Sequence, residues 1–355
     1  MDNPQLNVAL IGCGRIAVRH AEIIGRRQIH GMQLKAVCDI DKKKADAFAE
    51  KYNVDSFADM DQMMQESDID VAVVLTPSGL HAEHTLRLVQ HAKYIVVEKP
   101  MALTVKDADS MISACDEHGV RLFVVKQNRF NLPVIRLREA LQAGRFGKLV
   151  MGTIRVRWCR TQEYYDQDAW RGTWAMDGGV ITNQASHHID LLNWMLGDVS
   201  SVFARSSTAL VDIETEDTAV ALIKFENDAL GVIEATTATR PYDLEGSLSI
   251  LGEKGTVEIG GFAVNRILNW QFYDETPEDD VTRQEYSENP PDVYGFGHKR
   301  FYEHVADCIS TGNKQLVDGL EGRKSVELVN AIYQSIETNA EVGLKYSPRI
   351  TRLGN

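Results

Sequence analysis

The first third of the chain alternates short, unbroken apolar runs with stretches of helical periodicity. Asn7–Ile11 (NVALI) is the first run, followed at once by Gly12 and a helical stretch to about Arg26. Leu34–Cys38 is the second and ends at Asp39, ahead of a Lys- and Ala-rich helix over Lys42–Tyr52. Val71–Leu75 (VAVVL) stops at Thr76-Pro77; a helix over His81–His91, a strand Tyr94–Val97, a helix Val105–His118 and a strand Arg121–Val125 follow. Strands that are apolar on both sides and alternate with helices predict βαβ units and a parallel sheet buried on both faces.

The pattern changes after about Gln127. A helix over Val134–Ala143 stops at Gly144, a C-cap residue. Longer segments with strand periodicity then succeed one another: Val150–Cys159, Val199–Ser207, Thr218–Phe225, Leu230–Thr237, Ser247–Gly252 and Thr256–Ile259. Glu226-Asn227-Asp228 and Gly252-Glu253-Lys254-Gly255 supply hairpin turns between them. Strands in succession predict a large, mostly antiparallel open sheet in an α+β domain. Trp270–Pro291 is acidic and contains proline, which reads as a surface excursion; helices over His298–Ser310 and Glu321–Asn339 close the chain. The expected division is an α/β Rossmann domain over residues 1–127 and an α+β substrate and oligomerisation domain over 128–355, with terminal helices able to pack back on the first. In Thr218–Phe225 one face carries Ala219, Ala221, Ile223 and Phe225 and the other Val220 and Leu222. Few helices remain to cover a second apolar face. This predicts either burial against another subunit, making a homo-oligomer with a tetramer favoured over a dimer, or cover by the terminal helices.

Composition narrows the function. At 355 residues the chain exceeds one typical core. A formal net charge of −13 disfavours nucleic acid, so any nucleotide must be held by a local set of donors. No apolar run is long enough to span a bilayer, and the N-terminal segment lacks the pattern of a secretory signal. The five cysteines, Cys13, Cys38, Cys115, Cys159 and Cys308, show no CxxC spacing. That argues against a disulfide framework or a structural metal and for a reducing, cytoplasmic setting.

Gly12-Cys13-Gly14-Arg15-Ile16-Ala17 follows the first strand and fits G-x-G-x-x-G/A. Gly12 permits the turn, Gly14 lets a pyrophosphate approach the backbone, and Ala17 lets the helix pack close, its N-terminus facing the phosphates. Asp39 at the end of the second strand is placed to accept hydrogen bonds from the ribose hydroxyls or, alternatively, to cap the next helix. Ile40 and Asp41 offer no positive charge to a ribose phosphate, which favours NAD over NADP.

Two further segments carry chemistry. Glu98-Lys99-Pro100 directly follows an apolar strand, and Gly178-Gly179-Val180-Ile181-Thr182-Asn183-Gln184-Ala185-Ser186-His187-His188-Ile189-Asp190, if helical, puts Asn183 and His187 on one face. Adjacent His187 and His188 cannot both face a site. Together these segments resemble the Gfo/Idh/MocA family of glucose–fructose oxidoreductase and inositol dehydrogenase, over nearly the whole chain from Val8. The resemblance implies that Lys99 and His187 are the catalytic pair, that Thr76, Pro77 and His81 form the T-P-x-x-x-H loop beside the nicotinamide, and that Glu98 contacts the cofactor. The family's usual Asp one turn before the His is Asn183 here. Burial and a cationic ring would both lower a lysine's ordinarily high pKa, and histidine starts near neutrality, so either residue serves as general base while the other orients the hydroxyl.

Between these segments Arg155, Arg157, Arg160 and Arg171 accompany Trp158, Tyr164, Tyr165, Trp170 and Trp174. Arg155 and Arg157 point the same way along their strand, opposite Ile154, Val156 and Trp158. Arginines beside aromatic rings in an acidic protein suggest an anionic sugar, unless they pair with Glu163, Asp166 and Asp168. Phe123–Asn131 (FVVKQNRFN), Tyr164–Trp174 (YYDQDAWRGTW) and Asn183-Gln184 resemble the branch acting on UDP-linked N-acetylamino sugars, of the UDP-N-acetylglucosaminuronate 3-dehydrogenase type. That resemblance implies C3 oxidation in bacterial surface-polysaccharide (O-antigen) synthesis, with 2-oxoglutarate a co-substrate in some such enzymes. It makes Asn128, Arg129, Arg157, Gln184, and with them Tyr164, Trp170, Arg171, Asn183, Lys99 and His187, substrate contacts. An inositol or free-hexose dehydrogenase, an NAD-dependent glycosidase and a non-catalytic dinucleotide-bound regulator are the competing readings; intact Lys99 and His187 weigh against the last.

Overall fold

Six parallel strands form the first sheet of the computed structural model, which describes residues 5–261, 264–288, 295–346 and 351–354. They are β1 (Leu6–Ile11), β2 (Met32–Cys38), β3 (Asp55–Phe57), β4 (Val71–Val74), β5 (Tyr94–Val97) and β6 (Arg121–Val124), in the order β3-β2-β1-β4-β5-β6. The order reverses between β1 and β4, and ligands of such sheets bind beyond the carboxyl ends of the strands at that point. This sheet belongs to a unit made of residues 1–102, 106–125 and 298–323. The helix Arg15–Gly25 buries Ala17, His20, Ala21 and Ile24, a helical apolar stripe that includes one histidine. Edge strand β3 and the helix Met60–Glu66 lie outside the expected pattern; three residues are too few to show a period.

The second unit, residues 103–105, 126–297 and 324–355, is built on eight strands. These are β7 (Leu149–Arg157), β8 (Val199–Ser207), β9 (Thr218–Phe225), β10 (Leu230–Thr236), β11 (Glu245–Gly252), β12 (Gly255–Gly260), β13 (Arg266–Phe272) and β14 (Val342–Gly343), in the order β13-β12-β11-β7-β10-β9-β8-β14. Every pairing is antiparallel except β7 with β10. Both expected hairpins form, β9–β10 and β11–β12.

One sheet face is covered by the helix Ser186–Leu196. Gly152 lies so close beneath Leu192 and Leu196 that a Cβ there would come within 2.8 Å of both side chains. Ile154 and Val156 are buried beside it. On the other face Val220, Leu222 and Leu230 are exposed, Leu222 to 60 %. Among the described residues of this unit, no terminal helix covers them.

Trp270–Pro291 is not a surface excursion. It opens inside β13, where Trp270 and Phe272 are buried and alternate with the exposed Gln271, and continues as the helix Pro277–Glu285. Thr276 and Asp279 form a capping box at that helix. Asp279 also accepts the Trp270 indole N–H at 2.6 Å and a two-pronged bond from Arg145, so part of the acidity that suggested solvent is internally paired. The stretch from residue 289 to 291 lies outside the described residues.

Candidate active site

The turn after β1 is shaped for a ligand. Gly12 has φ +98°, and a Cβ on it would lie 2.8 Å from the Leu75 carbonyl oxygen, so the fold itself demands glycine. Gly14 is different: a Cβ there would meet nothing within 4 Å. Its smallness is of use only to something outside the chain, as a pyrophosphate approaching the backbone would be. Gly14 is the N-cap and carries no side-chain cap, so the turn holding Arg15 and Ile16 opens an unblocked helix N-terminus. Asp39 accepts the Cys13 N–H at 2.8 Å and the Asp41 N–H at 2.8 Å. It is Asp41, not Asp39, that caps the helix Lys42–Tyr52, accepting from the Lys43 N–H. Asp39 thus ties the glycine turn to the end of β2, half-exposed beside Ile40, which is 94 % exposed. Together these residues fit a dinucleotide.

At the ends of β4 and β5 the side chains lock backbone to backbone. His81 is buried, one ring nitrogen 2.8 Å from the Thr76 carbonyl and the other 2.7 Å from the Pro100 carbonyl. It staples the Thr76-Pro77 segment to the one following Lys99; burial lowers its pKa. The Thr76 hydroxyl lies 2.9 Å from His84 Nδ1. Glu98 is buried, with Oε1 at 3.0 Å from His20 Nε2 and 3.4 Å from His298 Nε2 and Oε2 accepting the Lys99 N–H at 2.8 Å. Its carboxyl side chain, expected at the cofactor, thus faces three donors of its own unit. Burial pushes the Glu98 pKa up, but the bonds and charges of His20 and His298 outweigh it and hold the carboxyl well below its usual value. The His20 Nδ1 lies 2.5 Å from the Tyr302 hydroxyl. His20, Glu98 and His298 also place possible metal-ligand atoms within 4.8 Å of one another, a spacing their hydrogen bonds account for. Lys99 stands half-buried directly beyond this knot.

In the second unit the helix carrying His187 starts at Ser186, so Asn183 and Gln184 sit in the turn before it rather than on a helical face. Asn183 donates through Nδ2 to Asp177, which is buried and accepts the Gly172 N–H with its other oxygen at 2.9 Å. The carboxylate missing at position 183 is therefore present one hydrogen bond away, a residue that sequence reasoning did not single out. His187 is half-buried, its Nε2 at 3.0 Å from Gln127 Nε2. His188 points into the core, edge-on to Trp158 at 5.9 Å, and burial takes its pKa down to about 4. Gln184 is 5 % exposed, and neither amide atom has a partner among the described residues. Such a buried amide costs about 1–3 kcal/mol unless something else satisfies it.

Asn128 and Arg129 lie buried in the single 3-10 turn Gln127–Phe130. The Arg129 fork bonds Asp190 at 2.8 and 2.9 Å and lies over the Trp194 ring, while Lys126 is 3.5 Å from the same carboxylate. Arg129 thereby fixes the Gln127 turn to the helix of His187. The four arginines do not form one cluster. Arg155 and Arg157 lie on the open face, opposite the His187 helix; Arg157 pairs with Glu234 at 2.6 Å and Glu245 at 2.9 Å, and Arg155 with Glu258 at 3.8 Å. Strand alternation correctly gives their common direction, but not the acids on neighbouring strands that engage them. Arg160 and Arg171 both stack on the Tyr164 ring, Arg160 also on Trp158 and Arg171 on Trp170, in a continuous ladder of rings and guanidinium groups. Each is tethered by an acid, Asp243 and Asp168 respectively.

A strand order of this kind, a glycine turn with an acidic residue ending β2, and a lysine beyond β5 define a dinucleotide-binding oxidoreductase fold. Residues 6–126 match the family described as oxidoreductase, NAD-binding Rossmann fold, and residues 138–344 its C-terminal alpha/beta domain. The chain belongs to the Gfo/Idh/MocA oxidoreductase family, and the cofactor of its first domain is NAD. It is 41 % identical to the WlbA dehydrogenase of Bordetella pertussis, crystallised with NADH and UDP-GlcNAcA, with a TM-score of 0.93 over 97 % of this chain and 99 % of that one. It is 39 % identical to the WlbA dehydrogenase of Chromobacterium violaceum, crystallised with the same two ligands, at a TM-score of 0.90 over 97 % of each chain. Myo-inositol 2-dehydrogenase of Thermotoga maritima is 27 % identical over 96 % of this chain and 99 % of its own. No helix among the described residues is long and apolar enough to cross a membrane.

Proposed function

We propose that the protein is an NAD-dependent dehydrogenase that oxidises the C3 hydroxyl of UDP-N-acetylglucosaminuronate to the 3-keto sugar. The observation that carries this reading is the 41 % identity, over 97 % of the chain, to a dehydrogenase crystallised with NADH and UDP-GlcNAcA. The orphaned amide of Gln184 adds support, because a buried group with no protein partner suits a polar substrate.

NAD, when bound, takes the hydride from the sugar carbon. The residues here do the remainder. Gly12, Gly14, Arg15 and Ile16 would hold the pyrophosphate and Asp39 the ribose hydroxyls. Thr76, Pro77, His81 and Glu98 fix the backbone around Lys99. Lys99 and His187 share the hydroxyl proton, one removing it and the other orienting the oxygen, as the C3–H bond breaks and the ketone forms. Histidine starts near neutrality, which suits it to either part. Asn183, Gln184, Asn128, Tyr164, Trp170 and Arg171 line the sugar side, with Arg129 holding the Gln127 turn through Asp190. Arg157 is engaged by Glu234 and Glu245 on the sheet face opposite the His187 helix.

The exposed Val220, Leu222 and Leu230 support a homo-oligomer, and the reading takes a tetramer ahead of a dimer; a cytoplasmic place in surface-polysaccharide synthesis rests on the resemblance alone. Incubation with NAD and UDP-N-acetylglucosaminuronate, UDP-N-acetylglucosamine, glucose or inositol, with and without 2-oxoglutarate, tests the substrate by mass spectrometry of a 3-keto product. Lys99→Ala and His187→Ala should each lower turnover by at least about 100-fold with NADH binding intact. The second reading, a cyclitol dehydrogenase, is favoured by the 27 % identity to the inositol enzyme and by Asp177 beside Asn183. Turnover of inositol and of neither nucleotide sugar would establish it in place of the first.

A further inference from the structure

Four consecutive residues ahead of the His187 helix hang from one buried pair of side chains, Glu216 and Tyr333. The Gly179 N–H bonds the Tyr333 hydroxyl at 3.1 Å, and the Val180 N–H bonds the Glu216 carbonyl at 2.9 Å. The Ile181 N–H bonds Glu216 Oε1 at 3.0 Å, and the Thr182 hydroxyl bonds the Tyr333 hydroxyl at 3.0 Å. Tyr333 donates in turn to Glu216 Oε1 at 3.0 Å. That hydroxyl makes one donated and two accepted bonds, its full capacity. The turn then passes the constraint on: Asn183 N–H to the Gly179 carbonyl at 3.0 Å and Ala185 N–H to the Val180 carbonyl at 2.8 Å, immediately before the helix that presents His187. A Cβ on Gly179 would lie 2.3 Å from the Glu216 carboxyl carbon and from its carbonyl oxygen, so the glycine is there to let Glu216 in.

We propose that Glu216 is a positioning residue for His187, acting through Tyr333 and the Gly179–Thr182 backbone to set the orientation of the turn that holds Asn183, Gln184 and the histidine. The claim rests on the dehydrogenase reading for its kinetic consequence, though not for its structural one. Burial first, and the charge of nearby Asp177 with it, raises the Glu216 carboxyl to about 7 against the lowering effect of the Ile181 N–H and Tyr333. Asp177 and Tyr333 are the titratable groups that face it. Its Oε2 has no partner among the described residues, so the neutral acid fits the site and the ionised form is the costly one. A carboxyl raised in the folded state stabilises the fold at low pH, and that contribution is lost as pH rises through about 7.

Glu216→Gln keeps the accepting oxygen and stays neutral; Glu216→Ala removes the acceptor; Tyr333→Phe removes only the bridging hydroxyl. In the full-length protein, Glu216→Ala should lower kcat by about 30-fold or more, with the Kd for NADH within about twofold of wild type. Glu216→Gln should retain kcat within about threefold and lose the part of the pH dependence of thermal stability near pH 7 that Glu216 contributes. The His187 ring signals in ¹H–¹⁵N NMR, recorded with NADH and no sugar, should shift in Glu216→Ala and Tyr333→Phe and stay at wild-type positions in Glu216→Gln. Should Glu216→Ala not fold, Tyr333→Phe with Glu216→Gln decides by the same spectra. Unmoved His187 signals in both Glu216→Ala and Tyr333→Phe, or a Glu216→Gln variant as impaired as Glu216→Ala, would overturn the proposal. Those spectra need no substrate, so an error in the substrate assignment would leave them standing.

Discussion

Replacing Glu98 with glutamine tests whether the buried knot behind Lys99 holds the end of β5 in place. The carboxylate accepts two imidazole N–H groups and the Lys99 N–H. Hydrogen bonds to a charged group contribute roughly 1.5–3 kcal/mol each, and a glutamine offers one accepting oxygen in place of two. Either its NH₂ faces the Lys99 N–H, or it faces the histidines. In the second case His20 can relax by moving its proton to Nδ1, against the Tyr302 hydroxyl. After that relaxation about one charge-assisted bond is lost, so the first unit should be destabilised by about 1.5–3 kcal/mol. The chain has five tryptophans, Trp158, Trp170, Trp174, Trp194 and Trp270, all in the second unit, so tryptophan fluorescence is blind to the change. Native-state hydrogen exchange read by mass spectrometry on peptides covering Tyr94–Lys99 is the suitable assay. The sign with pH follows from the depressed carboxyl: its stabilisation is present above the ordinary glutamate value and is lost as pH falls through the lowered folded value. The gap between wild type and variant must therefore not narrow between pH 8 and about 4.3. A loss below about 1 kcal/mol at pH 7.5, or a gap that closes between pH 8 and 5, would refute the reasoning.

Two other substitutions probe the second unit. Asp190→Asn leaves Arg129 and Lys126 buried without their counter-charge, and should cost about 3–5 kcal/mol in urea unfolding followed by the fluorescence of Trp194, on which Arg129 stacks; a cost under about 1 kcal/mol would show that the pair does not anchor the Gln127 turn. Leu222→Asp puts a charge in the middle of the exposed apolar face and should halve or quarter the mass found by light scattering after size exclusion. A wild-type monomer, or a variant assembling as the wild type does, would remove the case for that face as an interface.

Much of the molecule was legible before any coordinates, for local reasons. The βαβ half follows from unbroken apolar runs, because a strand buried on both faces has no polar position to show. The glycine turn, Asp39 and the Glu98-Lys99-Pro100 element are contiguous, and each sits at a strand end that the pattern locates. Alternation in β7 and β9 gave the facing of Arg155, Arg157, Val220 and Leu222 without help. Segment Trp270–Phe272 was lost because charge in the residues that follow outweighed a short alternation.

What the tertiary structure alone decided is which polar groups are satisfied by which. Asp177 restores a carboxylate beside Asn183, Glu234 and Glu245 engage Arg157 on the open face, and Asp41 rather than Asp39 caps a helix. Glu216 and Tyr333 meet across 117 positions of chain. A period in the sequence records which side of an element is apolar, and burial of that side is enough to set the fold. The partner of a buried donor is fixed only when distant elements pack, since any acceptor of the right reach would satisfy it equally. The sequence therefore determined the architecture and the order of the site's segments along the chain; packing determined how Lys99 and His187 are each held.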